Sequence, residues 1–198
     1  MKLDFITVVS GLPRSGTSLM MQMLAAGGIP PMTDHQRAPD ESNPCGYFEF
    51  EPVKRLRTDR SWIEQAQGHA IKVIHLLLRE LPTDGQFDYR VILMHRSMAE
   101  VLASQRAMLE RQNKVTADDV MLAKVYQSQL DQAEQWLMSQ PAFSILVMDH
   151  HVVLKTPESA ANSVNDFLGG GLDVGAMTRV VDPKLYRQQQ AIAANKVV

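Results

Sequence analysis

The chain has 198 residues, 45% of them hydrophobic, and a formal charge of −2 at pH 7. That is material for one sizeable core rather than two, and the charge balance lacks the positive field of a non-specific polyanion binder, which sets nucleic acid aside. A single cysteine, Cys45, forms no internal disulfide, and the apolar run near the start, FITVVSGL at 5–12, is too short for a signal peptide or a membrane span, so a cytoplasmic protein is expected.

In chain order, short apolar runs alternate with helical patterns, the habit of βαβ units around a parallel sheet. FITVV (5–9), AIKVI (70–74), RVILM (90–94) and FSILVM (143–148) read as buried strands. Helices are predicted over 17–26, directly after a glycine-containing turn, over 98–111, and over 117–138, where apolar groups recur at helical spacing. A last helix begins at TPES, with Thr156 as its cap and Pro157 in its first turn, and stops at Gly169, Gly170 and Gly171. The expected fold is α/β, three-layered, with a parallel central sheet flanked by helices, in one domain over 1–198. Residues 27–60 break the rhythm and hold five of the ten prolines. A stretch this long inside a compact domain reads as a lid or binding surface, here about 27–68, while 172–198 reads as a C-terminal arm.

SGLPRSGTS at 10–18 places Gly11 and Gly16 five apart at the end of the first apolar run. The glycines permit the positive-φ turn, and the helix that follows points its unpaired N–H groups and positive dipole end back into it. A nucleoside-triphosphate loop would carry lysine at position 17; here Thr17 stands there, with Arg14 three places earlier. Thr17 and Ser18 add hydroxyls and Arg14 a planar guanidinium, all groups suited to phosphate or sulfate.

A second stretch, RVILMHRSMAEVLASQRAML at 90–109, ends its apolar run near Arg96 and sets Ser104 eight residues later, two helical turns on. In an open parallel sheet, groups at the C-terminal ends of strands face the same crevice as the glycine loop, so Arg96 is placed to meet a second phosphate.

Together these stretches resemble the sulfotransferases that use 3′-phosphoadenosine 5′-phosphosulfate (PAPS). PRSGTS at 13–18 is similar to that family's loop for the 5′-phosphosulfate and to the loop of protein-tyrosine sulfotransferases, and the Arg96/Ser104 spacing matches its 3′-phosphate motif. NPCGYFE (43–49), HAIKVI (69–74) and FLGG (167–170) look like segments of bacterial sulfotransferase-like proteins. The resemblance implies a P-loop fold and a sulfuryl transfer from PAPS to a hydroxyl or amine acceptor, a small molecule or a polymer, without metal. It assigns Gly11, Pro13, Arg14, Ser15, Gly16, Thr17, Ser18, Arg96 and Ser104 to the cofactor, with Arg14 also gripping the bridge that breaks. A sulfuryl group carries less charge than a terminal phosphoryl group, so one arginine and a helix N-terminus suffice where a kinase leans on lysine and Mg²⁺.

The chain also departs from the family. Leu19 stands where cytosolic sulfotransferases carry an adenine-stacking tryptophan, only Lys184 and Arg187 offer a basic C-terminal return, and the Lys-Thr-His stretch is not reproduced. Lys72 and His75 are three apart, on opposite faces if the strand runs on. The base that takes the acceptor's proton is sought in the lid. Asp34 or His35 lies near the distance at which protein-tyrosine sulfotransferases place their glutamate, and GYFEFE offers Glu49 and Glu51. Glu49 is taken first and His35 second, because a carboxylate between Phe48 and Phe50 gains basicity by desolvation; His75 and Asp149 follow. Tyr47, Phe48, Phe50 and Trp62 are candidate walls for an apolar acceptor. Two other readings compete: a P-loop kinase with Asp149 on a metal, against which stand the missing loop lysine and the adjacent rather than i, i+4 His150 and His151; and a non-catalytic module that binds an adenine nucleotide or phosphate.

Overall fold

The computed structural model describes residues 4–34, 36–40, 43, 46–114 and 118–182. Four parallel strands form one sheet in the order β2-β1-β3-β4: β1 Ile6–Gly11, β2 Ala70–Lys72, β3 Tyr89–His95 and β4 Phe143–Asp149. All six residues of β1 are buried, as a central strand covered on both faces requires. Register pairs Val9 with Lys72, Gly11 with Met94 and His95 with Asp149. The strands therefore end along one edge of the sheet, where the glycine loop begins.

Alternation along the strands divides the core in two. Phe5, Val9, Ile92 and Met94 face a cluster with Met20, Met21 and Met23 of α1 (Thr17–Ala26), Val153 of α4 (His150–Lys155), Ala160 and Val164 of α5 (Pro157–Phe167) and Met177 of α6 (Val174–Arg179). Ile6, Val8, Ile71 and Val91 face the other cluster, with Ala133 and Leu137 of α3 (Asp119–Met138). There Tyr89 stacks on Phe143 at 4.7 Å between ring centroids and Trp136 meets Phe143 edge-on at 5.3 Å. The helix α2 (Met98–Arg111) follows β3. No described helix is long and apolar enough to cross a membrane.

Several expectations shift. β2 stops at Lys72 and the chain turns into a 3-10 helix over His75–Glu80, so strand parity does not govern His75. α3 starts at Asp119, with the Asp118 carboxylate accepting from the Val120 and Met121 N–H groups. Thr156 occupies the cap position of α5 but its hydroxyl donates back to the Val152 carbonyl at 3.0 Å. The short helices α4 and α6 have no counterpart in the expected elements, and Met177 and Val181 put the described start of the arm into the first core cluster.

The lid is partly core as well. Met32 donates to Ala70 O at 2.8 Å and Ala70 to Pro30 O at 3.0 Å, so the chain after α1 runs beside β2. Two 3-10 turns, Glu51–Arg55 and Ile63–Ala66, bury Val53, Leu56, Ile63 and Ala66 in the second cluster. Trp62 is 5% exposed and packs edge-on against Phe50, and Tyr47 is equally buried. Tyr47 and Trp62 are thus packed side chains of the lid's own core, while Phe48 and Phe50 are partly buried against the two core clusters.

Candidate active site

Between β1 and α1 the backbone folds through three residues with positive φ: Gly11 at 148°, Arg14 at 70° and Gly16 at 101°. A Cβ on Gly11 would lie 2.5 Å from Ser15 Oγ and 2.6 Å from the Met94 carbonyl oxygen, so the loop closes only around hydrogen there. Ser15 is turned inward, its N–H donating to Leu12 O and its side chain fully buried. Pro13 is exposed, and Arg14, Gly16, Thr17 and Ser18 are half-buried at the crevice. No side chain caps α1 and its first turn carries no acidic residue, an arrangement that leaves the positive helix end to an anion.

The two motifs, some eighty residues apart, meet here. Arg14 Nε donates to Ser104 Oγ at 3.0 Å. Arg96 donates from one terminal nitrogen to the Arg14 carbonyl at 2.9 Å and from Nε to Glu100 at 2.9 Å. Arg96 therefore braces the loop backbone while its charge stands beside Arg14. Burial, with Arg96 and Arg111 nearby, lowers the Arg14 pKa against the opposing influence of Tyr47 and Asp40; a guanidinium stays charged regardless.

Lys72 was given no role by the sequence, yet it is the nearest described answer to the lysine absent from position 17. At the last position of β2 it donates from Nζ to Ser18 Oγ at 3.1 Å and to Tyr47 O at 2.8 Å. Burial first, then the Arg37 and Arg14 charges, push its pKa down to about 8, with Glu49 opposing. Asn43 joins the same hydroxyl, Nδ2 to Ser18 Oγ at 2.9 Å. The signal was a lysine inside the apolar run AIKVI, where an ammonium must find partners when it is buried.

Above the loop, Tyr47 OH donates to the Asp40 carboxylate at 2.8 and 2.9 Å, and the Arg37 guanidinium lies 3.3 Å from the centre of the Tyr47 ring. Arg37 also pairs with Glu49 at 2.7 Å, and Lys54 stands 3.8 Å from the other Glu49 oxygen. Glu49 thus sits among cations rather than in the apolar setting expected from Phe48 and Phe50, although it lies close enough to the site to act electrostatically on Lys72.

The remaining base candidates separate by their surroundings. Asp34 accepts from the N–H of Glu51 at 2.6 Å and of Gln36 at 3.1 Å. Those donors, Glu51 foremost, hold its carboxyl below the usual range, which makes it a tie for the next turn and a weak base. Glu51 pairs with Lys54 at 2.7 Å. Asp149 caps α4 through the His151 N–H at 2.7 Å. His75 is buried, with Nδ1 3.3 Å from Gly11 O and Nε2 3.0 Å from Gln129 Oε1. His35, Lys184 and Arg187 lie outside the described residues.

Residues 6–197 match the sulfotransferase domain family. The chain belongs to that family. Its fold is similar to the sulfotransferase domain of the Synechococcus PCC 7002 olefin synthase, with a TM-score of 0.60 and 15% identity over 95% of this chain and 88% of that one. It is also similar to the sulfotransferase domain of the curacin biosynthetic pathway, with a TM-score of 0.54 and 15% identity over 99% and 98% of the two chains. A third likeness is sulfotransferase STF9 from Mycobacterium avium, with a TM-score of 0.51 and 11% identity over 100% and 70%. No curated protein matches the chain. Family membership makes the protein a sulfotransferase, an enzyme acting on a hydroxyl acceptor, and displaces the kinase and non-catalytic readings.

Proposed function

We propose that this sulfotransferase takes its sulfuryl group from PAPS, holding the 5′-phosphosulfate in the loop Gly11–Ser18 and the 3′-phosphate with Arg96 and Ser104. The observation that supports the reading is the 3.0 Å contact between Arg14 and Ser104, because the glycine loop and the helix after β3 meet there. The donor set fits such a ligand: Arg14, Lys72 and Arg96 add positive charge to a helix N-terminus that no side chain caps. When bound, PAPS supplies a sulfuryl group attached to a phosphate leaving group. Arg14 and Lys72 stabilise negative charge at that phosphate, and the first-turn N–H groups of α1 orient it.

Adenosine 3′,5′-bisphosphate is expected to bind without added Mg²⁺ and to raise the melting temperature by mass action, whereas ATP with Mg²⁺ does so less. Calorimetric titration of both ligands checks this. Tenfold tighter binding of ATP·Mg would overturn the PAPS reading.

Glu49 serves this proposal as the base for the acceptor hydroxyl, supported by its electrostatic reach to Lys72; its 2.7 Å ion pair with Arg37 has to open for it to take the proton. Glu49→Gln is expected to leave bisphosphate affinity unchanged and to lower turnover with a nitrophenol acceptor by about 10²-fold, the usual contribution of a positioned base. Full activity would move the role to His35 or His75.

A further inference from the structure

One buried titratable group stands against the loop and has no part in the scheme above. His150, the first residue of α4, is 8% exposed and comes from the end of β4, two strands away from β1. A Cβ built on Gly16 would lie 2.4 Å from His150 Cδ2 and 3.3 Å from both Cγ and Nε2, and all three nearest atoms belong to this one ring. The imidazole edge therefore rests directly on the Gly16 backbone, where a φ of 101° turns the chain into α1. Arg96, between the two in strand order, grips the loop at the Arg14 carbonyl. The loop is thus held from outside at residues 14 and 16.

We infer that His150 is a positioning residue, a flat wedge that fixes the Gly16 end of the anion-binding loop relative to Arg96 so that the first N–H groups of α1 meet the donor's 5′ group. The ring serves because it is thin enough to lie against a glycine and because it is uncharged. Burial, then Arg96, push its pKa down to about 4, with Glu100 and Asp149 opposing and His151 adding to the fall. The wedge accordingly adds no third charge to the Arg14–Arg96 pair at neutral pH. The requirement is mutual: glycine at 16 is needed for the ring as well as for φ, so the two positions are coupled.

This inference rests on the donor reading proposed above, and the wild-type titration with adenosine 3′,5′-bisphosphate separates the two. Failure of the wild type to bind overturns the donor reading and this inference with it. Given binding, His150→Ala is expected to weaken affinity about 10-fold and raise the donor KM in step. His150→Phe, which keeps a flat ring, should stay within about threefold of wild type, while His150→Leu, which keeps bulk without the plane, should not. Gly16→Ala is expected to weaken binding about 100-fold alone and at least fivefold less in the His150→Ala background. A His150→Ala protein with a lowered Tm but a Kd within about twofold of wild type would make the residue merely structural and overturn the inference, as would additive effects in the cycle. If the alanine variant does not fold, the Phe and Leu variants decide by the same criterion, and equal affinities overturn it.

Discussion

Arg14→Ala is expected to lower turnover by about 100-fold or more at saturating donor, with a smaller change in donor affinity. The backbone is not the reason, since alanine would inherit a φ of 70° that arginine already adopts. On the proposed role, the loss comes from removing a charge aimed at the phosphate that departs during transfer, in a site where burial strengthens charge interactions. Ser104 Oγ loses its 3.0 Å donor in the same change, but a hydroxyl can turn to another partner. Arg14→Lys keeps the charge without the planar fork and should retain activity within about tenfold. Arg96→Ala should behave otherwise. On the proposed assignment to the 3′-phosphate it removes a contact worth about 1.5–3 kcal/mol, and with it the brace on the Arg14 carbonyl, so binding weakens more than turnover. Steady-state kinetics with PAPS and a nitrophenol acceptor separate the two patterns. Intact turnover with only a raised donor KM in Arg14→Ala would remove its transition-state role.

The sheet was legible because its strands are apolar runs, and the central β1 and β3 are buried nearly throughout; β4, expected as a buried strand, is an edge strand with Val147 47% exposed. The helices α1, α2 and α5 were legible from the glycine loop before α1, the periodicity of α2, and Pro157 and the glycine stop around α5, although Thr156 does not cap it. α4 was not, because HHVVLK is too short to show a helical period and is held by a cap on Asp149 and burial of Val153. The extent of β2 was overread: Val73 and Ile74 continue the apolar run, yet the strand ends at Lys72, with the Val73 N–H making a last bond to Val9 O at 3.0 Å and its side chain buried in the second core. Within the site, the loop and the Arg96/Ser104 pair are local patterns at fixed spacing. Lys72, Asn43 and His150 are not. Each reaches the loop from a different element, and a single sequence does not state which strands are neighbours. The same limit applied to Glu49, whose neighbours in sequence are phenylalanines while Arg37 and Lys54 approach it in space.

Lys72 carries the other large effect, and its pH dependence has two opposite signs. Lys72→Ala should weaken bisphosphate binding roughly 10–150-fold, the loss of one charge-assisted contact worth about 1.5–3 kcal/mol, while Lys72→Arg keeps the charge. In the unliganded protein its pKa is pushed from 10.5 down to about 8. The folded state therefore binds fewer protons than the unfolded state between about pH 8 and 10.5. This group's contribution to stability consequently rises with pH across that window, relieving a penalty on the order of 3 kcal/mol that is fully present below about pH 8. Ligand binding runs the other way. An anion beside Nζ favours the ammonium, so binding takes up protons near pH 8 and affinity falls as pH rises through that value. Denaturant titrations of wild type and Lys72→Met should therefore draw closer in stability as pH rises from 8 to about 10, while calorimetry of the bisphosphate should show wild-type affinity falling and Lys72→Arg affinity flat over the same range. A wild-type affinity that does not change between pH 7 and about 9.5 would mean that Lys72 does not face the bound anion. The loop's missing lysine would then have no substitute on the neighbouring strand, and Arg14 alone would carry the charge of the leaving phosphate.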